Sequence, residues 1–257
     1  MKNHFLYFTC LALLFAGCSS DGDTQQAIAG GKKPSQEKIV KDTVAKLSVA
    51  KRHISYLDSV FKDYGLVDIA TLDTSIKTDL RYAGTNNFLK RDFYDGLVNA
   101  YFNCETAMRL CRAQQYLKQV NNKLSLIVLD ASRPQHIQQL MWDSLDMPPD
   151  VKFNYLSPPY KKSLHNYGCA ADVSIIDLTN GRLLDMGSDY DFFGKISEPV
   201  YEERFLKSGE LSKAAYENRL LLRKVMKLAK FNGIRSEWWH FSACSKAEAM
   251  AKFKLIK

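Results

Sequence analysis

Apolar residues first recur at helical spacing at Ile54, Leu57, Val60 and Phe61. Apolar side chains three to four residues apart mark one face of a helix, and a glycine just beyond them, here Gly65, is suited to end it. The pattern therefore predicts that the folded part of the chain begins near residue 48 with a helix that ends at Gly65.

The next predicted elements are a helix over about 104–118 and a buried strand over 124–129. The strand is an almost unbroken apolar run, and Pro134 behind it is suited to the first turn of a third helix that continues to Trp142. On the second helix, the residues predicted to share one apolar face are Ala107, Leu110, Cys111 and Leu117.

The second half of the chain predicts a strand over 173–176, a long helix over about 212–231, a last strand over 237–242 and a short C-terminal helix. An apolar stripe on the long helix comprises Leu221, Val225 and Leu228, and Asn232-Gly233 follows as an end signal. Helices and strands are interspersed without a regular βαβ period. The pattern therefore favours the α+β class over a doubly wound sheet.

The N-terminus has the composition of a signal peptide. Lys2 precedes an apolar run that is too short to span a bilayer as a permanent helix. Small residues then precede Cys18, which resembles a bacterial lipoprotein processing site; an ordinary cleaved signal with an incidental cysteine is the alternative. We expect a signal peptide over 1–17, a lipid-anchored flexible tether over 18–47, and a location in the cell envelope, periplasmic or outer-membrane-associated.

Composition narrows the class of protein further. The chain has 257 residues, 46% of them hydrophobic, which is enough for one domain over 48–257. Its net charge of +8 fits attraction to anionic envelope polymers, although lysines that solvate helix faces are a simpler explanation. Basic residues are not interleaved with aromatic ones in any cluster, so we predict no nucleic-acid partner.

Four cysteines remain beyond the predicted signal and anchor. Cys104 and Cys111 would lie about 10 Å apart along one helix, too far to bridge each other. We interpret Cys104, Cys111, Cys169 and Cys244 mainly as small buried hydrophobic residues. One disulfide between distant segments is the alternative, because secretion permits it.

Candidate chemistry lies in two stretches of the second half. His165 and Asp172 are seven residues apart, and a turn at Gly168 could bring their side chains to a common point. Glu237-x-x-His240 adds a second imidazole and a spare carboxylate. Three protein ligands with an open fourth position are typical of a catalytic metal site, and a glutamate beside it suits acid/base work.

These motifs resemble the zinc D-Ala-D-Ala peptidases. The resemblance rests first on Ser163-x-His165, Gly168-x-Ala170-x-Asp172 and 237–241, and it extends through the runs 79–83, 87–88, 130–134 and 186–191 to the VanX-like dipeptidase branch. It covers roughly residues 66–245. The resemblance implies a mainly antiparallel central sheet flanked by helices, the fold shared with Hedgehog-like proteins.

The resemblance also implies a set of catalytic roles. His165, Asp172 and His240 would bind one Zn²⁺ per chain, and Glu237 would be the general base. Arg133 would be the fixed cation beside the oxyanion.

Substrate contacts are implied as well. Asp191 would receive the free ammonium of a small dipeptide such as D-Ala-D-Ala, and Tyr82 and Ser163 would make further contacts. The alternative for Asp189 and Asp191 is that they cap a loop. Two alternative functions stay open, a D,D- or L,D-carboxypeptidase that trims peptidoglycan stem peptides and a non-catalytic envelope-binding module.

Overall fold

The computed structural model describes residues 54–153 and 156–257, all of which belong to one compact unit. The predicted signal peptide over 1–17, the lipid site at Cys18 and the tether over 18–47 lie outside the described residues. Within the described ranges, no helix is long and apolar enough to cross a membrane.

The fold is α+β, with a mixed sheet and helices. The strands are β1 (Val67–Asp68), β2 (Lys77–Thr78), β3 (Tyr101–Phe102), β4 (Leu124–Asp130), β5 (Ala170–Asp177), β6 (Arg182–Leu183), β7 (Asn232–Gly233) and β8 (His240–Ser242). The α-helices are α1 (Tyr56–Asp63), α2 (Cys104–Val120), α3 (Gln135–Ser144), α4 (Pro149–Lys152), α5 (Glu202–Ser208), α6 (Lys213–Leu228) and α7 (Lys246–Lys252).

The main sheet is organised around β4 and β5, which pair antiparallel over most of their length. Strand order is β2-β4-β5-β8-β7, with β6 paired to the far end of β5. Only the β2–β4 pair is parallel among the described pairs of this sheet, so the expectation of a mainly antiparallel sheet is confirmed. A register shift between Val128 and Asp130 bends the end of β4 that leads to Arg133.

The two faces of the sheet have different roles. Because side chains alternate along a strand, Ala171, Val173 and Ile175 of β5 all point into the hydrophobic core. That core also contains the buried faces of α2 and α6, which pack together on this side of the sheet. Asp172 of β5 and His240 of β8 belong to the opposite face, where the candidate site lies.

Several predicted helices form with side-chain caps. The Asn103 side chain accepts a hydrogen bond from the Thr106 backbone N–H at the start of α2, and Ser212 does the same for Ala215 at the start of α6. Pro134 is the residue before α3 rather than part of its first turn. Gly65 has a φ of 72° just beyond α1, as the predicted helix end requires.

Two predicted apolar faces are partly wrong. Ile54 is 74% exposed and precedes α1, whereas Leu57 and Phe61 are fully buried. On α6 the predicted stripe included Leu228, which is 49% exposed, and the buried face is instead formed by Leu222, Val225 and Met226. The apolar spacing predicted the helix correctly but placed its buried face about one residue away from the observed face. Residues 220–222 are three adjacent leucines, and spacing alone does not show which of them is buried.

Two strand boundaries also differ from the prediction. β5 begins at Ala170, three residues before the predicted start, so Asp172 lies within the strand. The last strand starts at His240 rather than at residue 237, which leaves Glu237 on the loop before β8. This loop position lets the Glu237 side chain reach the site without following the alternation of the strand.

Candidate active site

His165 lies on a short helical turn, Leu164–Tyr167, that the sequence builds locally. Ser163 caps this turn by accepting a hydrogen bond from the His165 backbone N–H at 3.3 Å. Gly168 ends the turn in the left-handed conformation with φ 64°. A Cβ at this glycine would lie 2.8 Å from the Asn103 backbone nitrogen, so both the φ angle and the space require glycine.

Asp172 and His240 are direct register partners across β5 and β8. Partners in an antiparallel pair project their side chains from the same face of the sheet, so strand pairing alone sets these two side chains side by side. The turn at Gly168 then brings the His165 side chain next to those of Asp172 and His240. The three predicted metal ligands therefore come together.

The three possible ligand atoms are spaced as a tetrahedral metal requires. His165 Nε2 lies 3.2 Å from His240 Nδ1 and 3.4 Å from Asp172 Oδ1, and the latter two atoms are 2.9 Å apart. Ligand atoms about 2.0–2.1 Å from a tetrahedral metal are separated by about 3.3 Å. The residues therefore fit a metal ion bound by two imidazoles and one carboxylate, with a fourth position left for water or substrate.

Neighbouring groups orient each of these ligands. His165 Nδ1 donates to the carbonyl oxygen of Ala131 at 2.6 Å, which leaves the Nε2 lone pair available to a metal. Tyr190 donates its hydroxyl to Asp172 Oδ2 at 3.0 Å, and His240 Nε2 lies 3.2 Å from the Ser242 hydroxyl. Such outer contacts hold ligand side chains in the binding orientation.

Glu237 lines the same cavity as the three ligand residues, and this cavity has a volume of about 350 Å³. Burial raises the pKa of the Glu237 carboxyl, and the nearby imidazole of His240 opposes the effect. A carboxyl whose pKa lies above its ordinary value is a stronger proton acceptor, as acid/base catalysis near neutral pH requires.

Arg133 is fixed in the wall of this cavity by the protein. Its guanidinium pairs with the buried carboxylate of Asp130, and it donates from Nη1 to Gln138 Oε1 at 2.8 Å and from Nε to the Tyr94 hydroxyl at 3.3 Å. It also lies over the Tyr82 ring, 5.1 Å from the ring centroid. Burial lowers the pKa of Arg133, but the Asp130 charge more than reverses this, so the side chain stays cationic.

Asp191 and Tyr82 meet on another side of the same cavity. The Tyr82 hydroxyl donates to Asp191 Oδ2 at 2.8 Å. Burial raises the pKa of Asp191 well above its ordinary value, so this carboxyl lacks a full compensating positive charge. Asp191 itself has a φ of 58°, a left-handed conformation that costs a non-glycine residue free energy.

A comparison with protein families places the chain in a known group. A family profile described as D-Ala-D-Ala dipeptidase, peptidase family M15, matches residues 62–256. The chain belongs to this family. It is therefore a metallopeptidase, because the peptidases of family M15 depend on a metal.

Relatives from several bacteria support this membership in the M15 family. The chain is 30% identical over 176 residues to a D-alanyl-D-alanine dipeptidase of Escherichia coli. The aligned region covers 68% of this chain and 83% of the relative. A protein of the same name from Streptomyces coelicolor is 25% identical over 194 residues, and the alignment covers 70% of this chain and 91% of the relative. A third, from Enterococcus faecium, is 24% identical over 186 residues, and the alignment covers 65% of this chain and 85% of the relative.

All eight residues predicted for the M15 site line this one cavity. Ser163 has an evident structural role there, because its hydroxyl caps the turn that carries His165. The sequence analysis missed Tyr190, Asp130 and Gln138, each of which contacts a predicted site residue. Tyr190 and Asp130 lie within the motifs that carry the family resemblance, whereas nothing in the sequence distinguished Gln138 from the neighbouring Gln139.

Proposed function

We propose that this metallopeptidase uses one zinc ion to hydrolyse D-Ala-D-Ala, or a similar free dipeptide, in peptidoglycan metabolism. The observation that carries the proposal is that three side chains able to bind a metal and a half-buried carboxylate, Asp191, line one small cavity. The names of the relatives support D-Ala-D-Ala as the substrate.

The ligand set favours zinc. Two imidazole nitrogens and one carboxylate oxygen at tetrahedral spacing form a donor set common in catalytic zinc sites, whereas calcium and magnesium prefer oxygen ligands in larger number. His165, Asp172 and His240 would hold the zinc ion, and the ion would supply acidification of a water molecule and polarisation of the scissile carbonyl group.

Glu237 then moves the proton in this mechanism. It takes a proton from the attacking water, and it transfers that proton to the amine that leaves when the peptide bond breaks. Its position on the loop before β8, three residues from His240, suits this role because the side chain lines the cavity without being one of the three clustered ligands.

Arg133 stabilises the negative charge that develops on the carbonyl oxygen. Three of its five N–H groups are used by Asp130, Gln138 and Tyr94, and the remaining two are available to the substrate. A cation held in place before the reaction costs no reorganisation at the transition state. Such donors are typically worth about 3–4 kcal/mol of barrier.

Asp191 accounts for the preference for a free dipeptide. Its half-buried carboxylate pairs with the substrate ammonium through one oxygen, while the Tyr82 hydroxyl donates to the other. A longer or acylated peptide presents a neutral amide at this point and leaves the carboxylate desolvated and unpaired. The alternative carboxypeptidase function would require an acyl chain to pass through the position of Asp191.

The test compares kcat/KM of zinc-loaded enzyme for free D-Ala-D-Ala, its N-acetyl derivative, L-Ala-L-Ala and a stem pentapeptide. We expect strong preference for the free dipeptide, and we expect Asp191→Asn to reduce this preference. Equal cleavage of the acetylated dipeptide or of the pentapeptide by wild-type enzyme would refute the ammonium pocket and favour the carboxypeptidase.

We also propose that the protein is anchored in the cell envelope through a lipid on Cys18. The sequence around Cys18 supports this, and an envelope location would bring the enzyme to dipeptides released from the wall. Cys18→Ser should move the protein from the membrane fraction to the soluble fraction and remove the lipid from the N-terminal peptide in mass spectra. An unmodified Cys18 in the wild-type chain would contradict the anchor.

A further inference from the structure

Two cysteine thiols lie side by side at one corner of the sheet. Cys169 immediately precedes β5, and Cys244 follows β8 by two residues. Both belong to a small apolar cluster beside α7, separate from the main core. The Cys169 thiol and the Cys244 thiol are close enough for each to shift the pKa of the other.

The backbone around this pair is held close by strand pairing. Ala170 and Ser242 are register partners, and the Ala243 backbone N–H donates to the Cys169 carbonyl oxygen at 2.8 Å. Cys244 is the next residue along the chain. The strand pairing therefore keeps the two cysteines at neighbouring positions in the reduced protein.

The two thiols differ in exposure and in hydrogen bonding. Cys169 is fully buried, and its sulfur also accepts a hydrogen bond from Asn103 Nδ2 at 2.9 Å. Cys244 is only partly buried. Burial raises the pKa of both thiols, but the neighbouring thiol raises the pKa of Cys169 further and opposes the rise for Cys244. Cys244 is thus the thiol that a reagent meets first.

We propose that Cys169 and Cys244 form a reversible disulfide bond when the protein meets a disulfide oxidant. The Cys244 thiolate attacks one sulfur of the oxidant, forms a mixed disulfide and releases one thiol. Cys169 then loses its proton and attacks the Cys244 sulfur, which releases the second thiol. Two protein thiols are oxidised, and the oxidant disulfide is reduced to two thiols.

The bond would join the two strands that carry two of the metal ligands. Asp172 follows Cys169 by three residues, and His240 precedes Cys244 by four. Strand ends near a metal site separate most easily when the metal is absent, since the ligands then no longer hold them together. The disulfide therefore stabilises the metal-free protein in particular, and it does so whatever the substrate of the enzyme.

The experiment treats the full chain with reduced and then with oxidised glutathione and maps cysteine peptides without reduction. We expect the oxidised protein to yield a linked peptide pair containing Cys169 and Cys244, and its intact mass to fall by about 2 Da for the two hydrogens lost. We expect thermal unfolding of the metal-free oxidised protein to occur roughly 5–10 °C higher than that of the reduced protein.

Matched variants separate this bond from other effects of oxidation. Cys244→Ser and Cys169→Ala should each abolish the linked pair and the rise in Tm, whereas Cys111→Ser should keep both. Melting in reductant checks that each variant is folded. Failure of the wild-type chain to yield the linked pair, or persistence of the rise in Tm in Cys244→Ser, would overturn the proposal.

Discussion

At the scale of single residues, Glu237 is the group on which the proposed reaction depends most. Its carboxyl lines the cavity beside the three proposed ligand side chains and is not part of their cluster. Glu237→Gln keeps the size of the side chain and removes only the proton acceptor. We expect kcat to fall by several orders of magnitude while zinc content, measured by elemental analysis, stays near one per chain.

The same carboxyl predicts the pH dependence of the reaction. Burial raises the pKa of Glu237, and only the deprotonated form accepts a proton. kcat/KM should therefore fall as pH falls through a pKa above that of an ordinary glutamate, and this acid limb should be missing from the residual activity of Glu237→Gln. An acid limb that is identical in the variant would assign it to another group. As the control for metal loss, His165→Ala should lose both zinc and activity.

Gln138 is a positioning residue for Arg133. Its amide accepts from Arg133 Nη1 at 2.8 Å and donates to the Ser157 carbonyl oxygen at 2.6 Å, so it fixes the plane of the guanidinium. Gln138→Leu should lower kcat by roughly one to two orders of magnitude with little change in KM and none in zinc content. Gln139→Leu, at the exposed neighbouring position, is the matched control and should leave kcat unchanged. A change in KM alone would indicate a binding role instead.

At the scale of elements, the sequence predicted the helices and strands better than their faces and ends. Apolar spacing located α2, β4 and α6, because each has a long run with one periodicity. It could not choose between adjacent leucines on α6, since that choice depends on which of them contacts the sheet. The start of β8 was wrong for a similar reason, because Glu237 and the two tryptophans after it are compatible with either a strand or a loop.

The sequence predicted which residues lie together at the candidate site, but it did not predict their geometry. His165, Asp172 and His240 were identified from motifs, yet their convergence depends on the register of β5 against β8, which a single sequence does not contain. Contacts such as Gln138 with Arg133 join elements that are fixed only by the tertiary fold. Such contacts leave no pattern in the sequence.

The turn at Gly168 is an element whose conformation can be tested directly. Gly168→Ala would force a Cβ to within 2.8 Å of the Asn103 nitrogen in a backbone conformation with φ 64°. Gly181 has a similar φ of 70°, but a Cβ there would meet no atom within 4 Å, so Gly181→Ala isolates the conformational cost. We expect Gly181→Ala to lower the free energy of unfolding by about 1 kcal/mol and Gly168→Ala by about 2–4 kcal/mol.

Denaturant unfolding of the metal-free proteins measures this difference. Gly168→Ala should also weaken zinc binding, because His165 lies on the turn that Gly168 ends, whereas Gly181→Ala should not. Equal destabilisation by the two substitutions would mean that the chain around Gly168 moves to make room.

At the scale of the whole molecule, the proposed metal site joins parts of the chain that are distant in sequence. The turn with His165, strand β5 and strand β8 each supply one ligand, so a bound ion adds a link between them. Removal of zinc with a chelator should lower Tm, and the loss should grow with the zinc concentration of the reference sample, because ligand binding stabilises the folded state by mass action. His165→Ala should melt at the same temperature with and without zinc, and calorimetry measures both.

The pairing of Asp172 with His240 has a consequence for how this protein can change over evolutionary time. Strand residues alternate between the core and the catalytic face, so deleting one residue within β5 would turn Asp172 toward the helices and an apolar neighbour toward the cavity. Such a deletion would disrupt the proposed metal site and the packing of the hydrophobic core at the same time. We therefore expect the loops around this enzyme to tolerate changes in length, and the central strands to tolerate replacement of residues but not a change in their number.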